Sequence, residues 1–139
     1  MATVHFYEKP GCLNNTKQKR LLAEAGHVLI VHDLLRQPWA EDRDKLRSFL
    51  GAMPVADWFN RAAPAVKSGQ VVPELLDETQ AIELMIADPL LIRRPLLEVD
   101  GRRRAGFDPE TIAAWLAVST GGDDLETCPK QHQHTACGP

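Results

Sequence analysis

The sequence predicts an α/β domain: a small mixed sheet flanked by helices, with elements in the order βαβ, a helical middle, then ββα. Three observations carry this. A β-rich run closed by a Pro-Gly turn leads into a helix-forming segment and then a second apolar run; an Asp-Gly pair separates two strand-like segments near residue 100; and apolar residues in the middle recur at helical spacing. At 139 residues, 44% apolar and 25% charged, the chain suits one ordinary globular domain and is unlike disordered, collagenous or disulfide-scaffold sequences.

Thr3-Val4-His5-Phe6-Tyr7 forms the first strand and stops at Glu8-Lys9-Pro10-Gly11, a turn cluster directly before Cys12. A helix capped by Asn14 or Asn15 then runs to Ala25, with an apolar stripe of Leu21, Leu22 and Ala25 and a stop at Gly26. His27-Val28-Leu29-Ile30-Val31 is almost continuously apolar, the pattern of a parallel strand buried on both faces. Residues 40–50 place Leu46, Phe49 and Leu50 at helical spacing before Gly51. The stretch Met53–Val72, broken by Pro54, Pro64 and Gly69, holds a short helical possibility at Ala56-Asp57-Trp58-Phe59. Glu78–Ala87 reads as a helix burying Ile82, Met85 and Ile86, stopped by Asp88-Pro89. Residues 95–99 and 102–106 flank Asp100-Gly101 as a hairpin with a type I′ turn. Asp108-Pro109-Glu110 opens a last helix with core residues Ile112, Trp115 and Leu116. The domain is expected to span 1–118, with 119–139 a polar tail. This element order is the thioredoxin plan.

The net charge of −3 supplies no global basic field, which argues against nucleic acid or an anionic membrane as partner. Met1–His5 lacks the start of a signal peptide, and no apolar run approaches the roughly 18 residues of a membrane span. A cytoplasmic protein is expected. Trp58, Phe59 and Trp115 read as core. Arg102-Arg103-Arg104 on the second hairpin strand reads as a charged edge that resists pairing, with a phosphate or nucleic-acid patch as the less favoured reading.

Of the 3 cysteines, only Cys12 lies in the body of the chain. Between a strand and a helix N-terminus, unpaired N–H groups and the helix dipole favour an anion, whether a thiolate or a bound oxyanion. Cysteines in such settings have pKa values lowered from about 8.5 to roughly 3.5–7.5; the competing reading is a buried cysteine acting as a small hydrophobe. Asn15 stands where a thioredoxin-type dithiol has its resolving cysteine, so Cys12 has no local disulfide partner. Glutathione, a glutaredoxin-like protein, or Cys128 or Cys137 of the tail would have to resolve it. Cys128, His132, His134 and Cys137 could also offer a metal ligands, though in no familiar structural zinc spacing, and an inert polar extension is the third possibility.

Tyr7 through Lys19, with Pro10-Gly11-Cys12 and Asn14-Asn15 inside it, then Leu91-Ile92-Arg93-Arg94-Pro95 and Gly106-Phe107-Asp108-Pro109-Glu110, resembles the ArsC/Spx family of glutaredoxin-like arsenate reductases and regulators over about residues 3–118. The Pro-Gly-Cys-x-Asn-Asn run and Trp58-Phe59-Asn60 are most similar to its nitrogenase-associated subgroup. The resemblance implies that Cys12 is the nucleophile, that Arg94 is the anion-holding arginine before a cis-proline, Pro95, and that Asn14 and Asn15 belong to the anion- or thiol-binding loop. Two family arginines are replaced, one by Asn60 with Arg61 adjacent as a stand-in, the other by Phe107. Charge-assisted bonds to an oxyanion typically contribute about 1.5–3 kcal/mol each, so the resemblance implies weak arsenate reduction. It implies a thiol-dependent oxidoreductase associated with nitrogen fixation, with glutathione as co-substrate or a glutaredoxin-like partner. The alternative it offers is a non-catalytic Spx-like adaptor on a nitrogenase-related protein.

Overall fold

The computed structural model describes residues 2–116. Its central strand is β1 (Thr3–Glu8), which runs parallel to β2 (Val28–Asp33) and antiparallel to β3 (Leu96–Val99). β4 (Arg102–Ala105) pairs antiparallel with β3, giving the order β2-β1-β3-β4. Asp100 and Gly101 sit at φ 50° and 78°, the paired positive angles of the type I′ turn that the Asp-Gly signal predicts.

The helices follow the predicted order with shifted bounds. α1 (Leu13–Glu24) has Cys12 as its N-cap residue, so it starts before the asparagines that looked like caps. Asn14 and Asn15 lie in its first turn and are buried, because Asn15 hydrogen-bonds the Lys9 amide and Gln18 instead of capping. The buried stripe of α1 is Asn14, Asn15, Gln18 and Leu22, while Ala25 is exposed. α2 (Arg43–Leu50) buries Leu46, Phe49 and Leu50 as their spacing predicts, but the turn at Trp39–Glu41 before it is a separate 3-10 piece. A 3-10 turn at Val55–Trp58 and a short α3 (Pro64–Lys67) fill the middle. α4 (Glu78–Ala87) has the predicted bounds because Asp77 and Gln80 form a capping box: the Gln80 amide donates to Asp77 Oδ1 at 2.8 Å and the Asp77 amide to Gln80 Oε1 at 3.0 Å. α5 (Pro109–Leu116) completes the described chain. The expected tail 119–139, with Cys128, His132, His134 and Cys137, and the end of the domain at residue 118 lie outside the described residues.

Side chains alternate across β1, so Val4 and Phe6 face one layer and Tyr7 the other. Val4, Phe6, Leu97 and Val99 pack with Leu22 of α1, Phe107 and Ile112 of α5. Tyr7 and Leu96 pack with Trp39, Phe49, Trp58, Phe59 and Met85 in a larger cluster that includes α2 and α4. The buried indoles satisfy their N–H groups on backbone carbonyls, Trp58 on Met53 at 2.8 Å and Trp39 on Leu34 at 3.0 Å. β2 departs from expectation. It is an edge strand, with Val28, Ile30 and Val31 at 48%, 42% and 47% exposure. Continuous apolarity reports strand propensity; the number of neighbouring strands is set by where β3 inserts. Among the described residues no helix is long and apolar enough to cross a membrane.

His5 Nδ1 and His32 Nε2 lie 3.0 Å apart on adjacent strands, and the His32 ring stacks on Tyr7 with centroids 4.4 Å apart. Burial first, then the nearby His5 and Lys45, hold His32 below its ordinary pKa, against a smaller opposing pull from Glu98. A histidine whose folded pKa is depressed contributes stability that is fully present above the unfolded value of about 6.5 and lost as pH falls toward the folded value. The stability of the wild type in urea unfolding should therefore fall as pH drops below about 6.5, and His32→Gln should flatten that slope; an unchanged slope would rule out His32 as its source. Truncation of Phe6, fully buried at the sheet centre, to Ala should lower stability by about 3–5 kcal/mol.

Candidate active site

The end of β1 delivers the chain into Lys9-Pro10-Gly11 and back into α1 within four residues. Gly11 makes this turn at φ 82°, a left-handed angle that a side chain would strain. The Cys12 amide donates to the Lys9 carbonyl at 3.1 Å, closing the loop. The Cys12 carbonyl already accepts from the Thr16 amide and the Thr16 hydroxyl, both at 3.1 Å, so Cys12 is held at the first turn of α1 through its own backbone.

Polar side chains buried beneath the loop fix its height. The Lys9 amide donates to Asn15 Oδ1 at 3.1 Å, and Asn15 Nδ2 donates to Gln18 Oε1 at 2.9 Å. Asn14, Asn15 and Gln18 are all at most 2% exposed, so these bonds are made in a low-dielectric setting where an unmet partner is costly. Outside them, Lys19 Nζ on α1 bridges to Glu8 Oε1 at 2.5 Å, tying the helix to the end of β1. Sequence reading assigned no role to Gln18, Glu8 or Lys19; the spacing of Asn15 and Gln18, one helical turn apart, was the available signal.

The Cys12 side chain is only 3% exposed. Two effects oppose each other at its sulfur: the amide-rich end of α1 favours the thiolate, and burial favours the thiol. Only a small or well-fitted electrophile reaches such an atom.

Arg94 and Pro95 come to the same end of the sheet. With Tyr7 opposite Leu96, Pro95 falls beside Glu8, next to the cysteine loop. The Arg94–Pro95 peptide is cis, Pro95 is buried, and its carbonyl accepts the Gly106 amide at 2.8 Å. Arg94 is half-buried. The loop asparagines, Arg94 and Pro95 thus share the sheet end that carries Cys12.

Arg61 is committed elsewhere. It is exposed, its Nη2 donates to Glu74 Oε2 at 2.8 Å and to the Ala56 carbonyl at 2.9 Å, and Nη1 reaches Glu74 Oε1 at 3.3 Å. The hydrogen bond to Glu74 raises the pKa of Arg61 and, reciprocally, lowers that of Glu74. Asn60 serves the scaffold: Nδ2 donates to the Leu90 carbonyl at 3.1 Å and Oδ1 accepts from the Ala62 amide at 3.1 Å. Phe107 is fully buried in the α1/α5 cluster. Asn60 and Phe107 therefore serve backbone bonding and packing, and the adjacent Arg61 is paired to Glu74. Among the described residues, no group of three or more His, Cys, Asp or Glu side chains is arranged to hold a metal.

A model described as the ArsC family matches residues 7–115. An uncharacterised 15.7 kDa protein in the draG 3′ region of Rhodospirillum rubrum is 49% identical over 138 residues, covering 99% of this chain and 95% of that protein. Among solved structures, an arsenate reductase from Vibrio cholerae superposes with a TM-score of 0.66 at 24% identity, covering 81% of this chain and 97% of its own. An arsenate reductase (ArsC) related protein from Brucella melitensis does so with a TM-score of 0.59 at 28% identity, covering 81% of this chain and 93% of its own.

Asn15→Ala should cost about 1–3 kcal/mol in urea unfolding, because it removes two buried hydrogen bonds, from the Lys9 amide and to Gln18 Oε1. Lys19→Ala removes a partly exposed ion pair and should cost less than about 1 kcal/mol; equal losses would show that the buried bonds do not govern the loop.

Proposed function

Because this chain belongs to the ArsC family, we propose that it is a thiol-dependent oxidoreductase in which Cys12 is the redox-active nucleophile, with glutathione as co-substrate or a glutaredoxin-like protein as reductant. The observation that carries this reading is the position of Cys12 as the N-cap residue of α1, on the sheet end where the register brings Arg94 and cis-Pro95.

A single thiol suffices for exchange. The Cys12 thiolate attacks the glutathionyl sulfur of a mixed disulfide between a substrate thiol and glutathione. A Cys12–glutathione disulfide forms and the substrate leaves as thiolate, taking a proton from water. A second glutathione thiolate then attacks the glutathionyl sulfur, so that the Cys12 thiolate is regenerated and oxidised glutathione departs, the two electrons having gone to the substrate, which left as a thiol. Arg94 holds the anionic partner beside the first turn of α1, where Asn14 and Asn15 lie buried and Asn15 fixes the loop through the Lys9 amide. With Asn60 and Phe107 in place of arginines and Arg61 paired to Glu74, arsenate is a poor substrate.

The 49% identical relative lies in the draG 3′ region, a nitrogen-fixation region, which supports an association with nitrogen fixation and a nitrogenase-related partner for this chain. A reducing cytoplasm is the compartment in which Cys12 would remain a thiol.

The experiment uses the full chain carrying Cys128→Ser and Cys137→Ser, so that Cys12 is its sole thiol. Turnover of the mixed disulfide of glutathione and mercaptoethanol, coupled to glutathione reductase, should be measurable and should be lost with Cys12→Ser. Iodoacetamide should modify Cys12 with a pH midpoint well below about 8.5, and arsenate reduction should be weak. Equal turnover with and without the Cys12 thiol, or an ordinary thiol midpoint, would overturn the enzyme reading in favour of an adaptor.

A further inference from the structure

Among the described residues β4 is the last strand of the sheet, with β3 on its inner side and no strand on its outer side, and the space beside it is shaped and charged. A cavity of about 620 Å³ runs along its outer side, walled by Leu50 and Met53 at the end of α2 and by Asp108 and Ile112 at the start of α5. Four arginines line it, Arg93, Arg102, Arg103 and Arg104, against one carboxylate, Asp108. A chain of net charge −3 has therefore gathered a quarter of its 16 basic residues at one sheet edge.

The arginines differ in what they are tied to. Side chains alternate along the strand. Arg103 faces the α2 layer, where it donates to Glu98 Oε1 and Ser48 Oγ, both at 2.9 Å, and holds the Glu98 carboxyl below its usual pKa. Arg93 donates to the Asp57 carbonyl at 3.1 Å. Arg102 and Arg104 face the α1/α5 layer, and Arg104 lies 5.4 Å over the Trp115 ring. Among the described residues no carboxylate forms an ion pair with either.

We propose that this groove binds an extended acidic peptide segment of a partner protein, which adds to the open edge of β4 as a further strand and sets its carboxylates against Arg102 and Arg104. An edge strand presents unpaired backbone groups on its outer side, and strand addition uses those groups for affinity and the flanking side chains for specificity. The partly buried Met53 on the α2 side offers apolar surface to alternate apolar residues of such a segment. Pairing β4 with β4 of a second copy would oppose arginine to arginine, which is unfavourable. Nucleic acid gains nothing from an open backbone edge and meets an overall negative chain. The site stands apart from the chemistry of Cys12, so its test does not depend on that chemistry.

The probe is a fluorescein-labelled peptide of alternating Glu and Val, titrated with the full chain and read by anisotropy, with amide exchange followed in parallel. Binding should slow exchange at Arg103 and Ala105, whose amides face away from β3, and weaken with salt. The double variant Arg102→Glu/Arg104→Glu should lower affinity about tenfold or more, whereas Arg102→Lys/Arg104→Lys should stay within a few-fold and Arg20→Glu, on exposed α1, should leave it unchanged. Equal affinity in the double Glu variant, or binding without slowed exchange at Arg103 and Ala105, overturns the proposal. So does tighter binding of a DNA duplex at the same salt. Protection of the outward-facing amides of Arg103 and Ala105 in the free chain also overturns it: if concentration-dependent it places a second copy there, and otherwise an acidic stretch of this same chain.

Discussion

β1 is hydrogen-bonded along both of its edges, with Thr3–Glu8 parallel to Val28–Asp33 and His5–Tyr7 antiparallel to Leu96–Glu98. From that double pairing follows the place of nearly every group discussed above. The parallel partner requires a crossover, and α1 is that crossover, so the turn into it must leave from the end of β1. Cys12 sits in this turn. The antiparallel partner begins at Leu96, so Arg94 and Pro95, two residues and one residue earlier, are delivered to the same end. The two sides of the candidate site come from opposite neighbours of one strand.

Energetically the site is held from below. Apolar burial on both sides of the sheet supplies the bulk of stability, with Phe6 and Leu97 on one face and Tyr7 and Leu96 on the other. The cysteine loop has little apolar surface of its own to bury. Its position comes instead from the Lys9 amide, Asn15 and Gln18, a short polar chain inside the first turns of α1. Buried hydrogen bonds add modestly to stability but are expensive to break singly, so they give a small loop one conformation. That rigidity suits a site whose thiol is nearly enclosed and must meet its partner in a set geometry.

The same sheet has two unlike edges. β2 exposes Val28, Ile30 and Val31, and β4 presents Arg102 and Arg104. Charge on an edge strand discourages indiscriminate pairing, and a strand of arginines remains selective for a partner that brings acids. Protection against self-association and recognition of an acidic segment are thus compatible uses of one side-chain pattern.

Local signals in the chain sufficed for the elements whose ends are set by neighbouring residues. α4 has its predicted bounds because Asp77 and Gln80 cap each other, and the hairpin forms where Asp100-Gly101 can take positive φ. The ArsC likeness was legible in Cys12, Arg94, Pro95 and the residues around them. Long-range contacts settled the rest. Asn14 and Asn15 look like helix caps in isolation, yet the Lys9 amide reached by folding the loop back draws Asn15 inward and leaves Cys12 at the N-cap. Arg61 looks like a substitute clamp, but Glu74, thirteen residues on, takes its guanidinium. The apolar run of β2 looks doubly buried and lies at an edge, because strand order depends on which strands meet β1. Caps and turns depend on a few adjacent residues and can be read along the chain; burial, ion pairing and strand order depend on residues far apart in it and are set only when the sheet assembles.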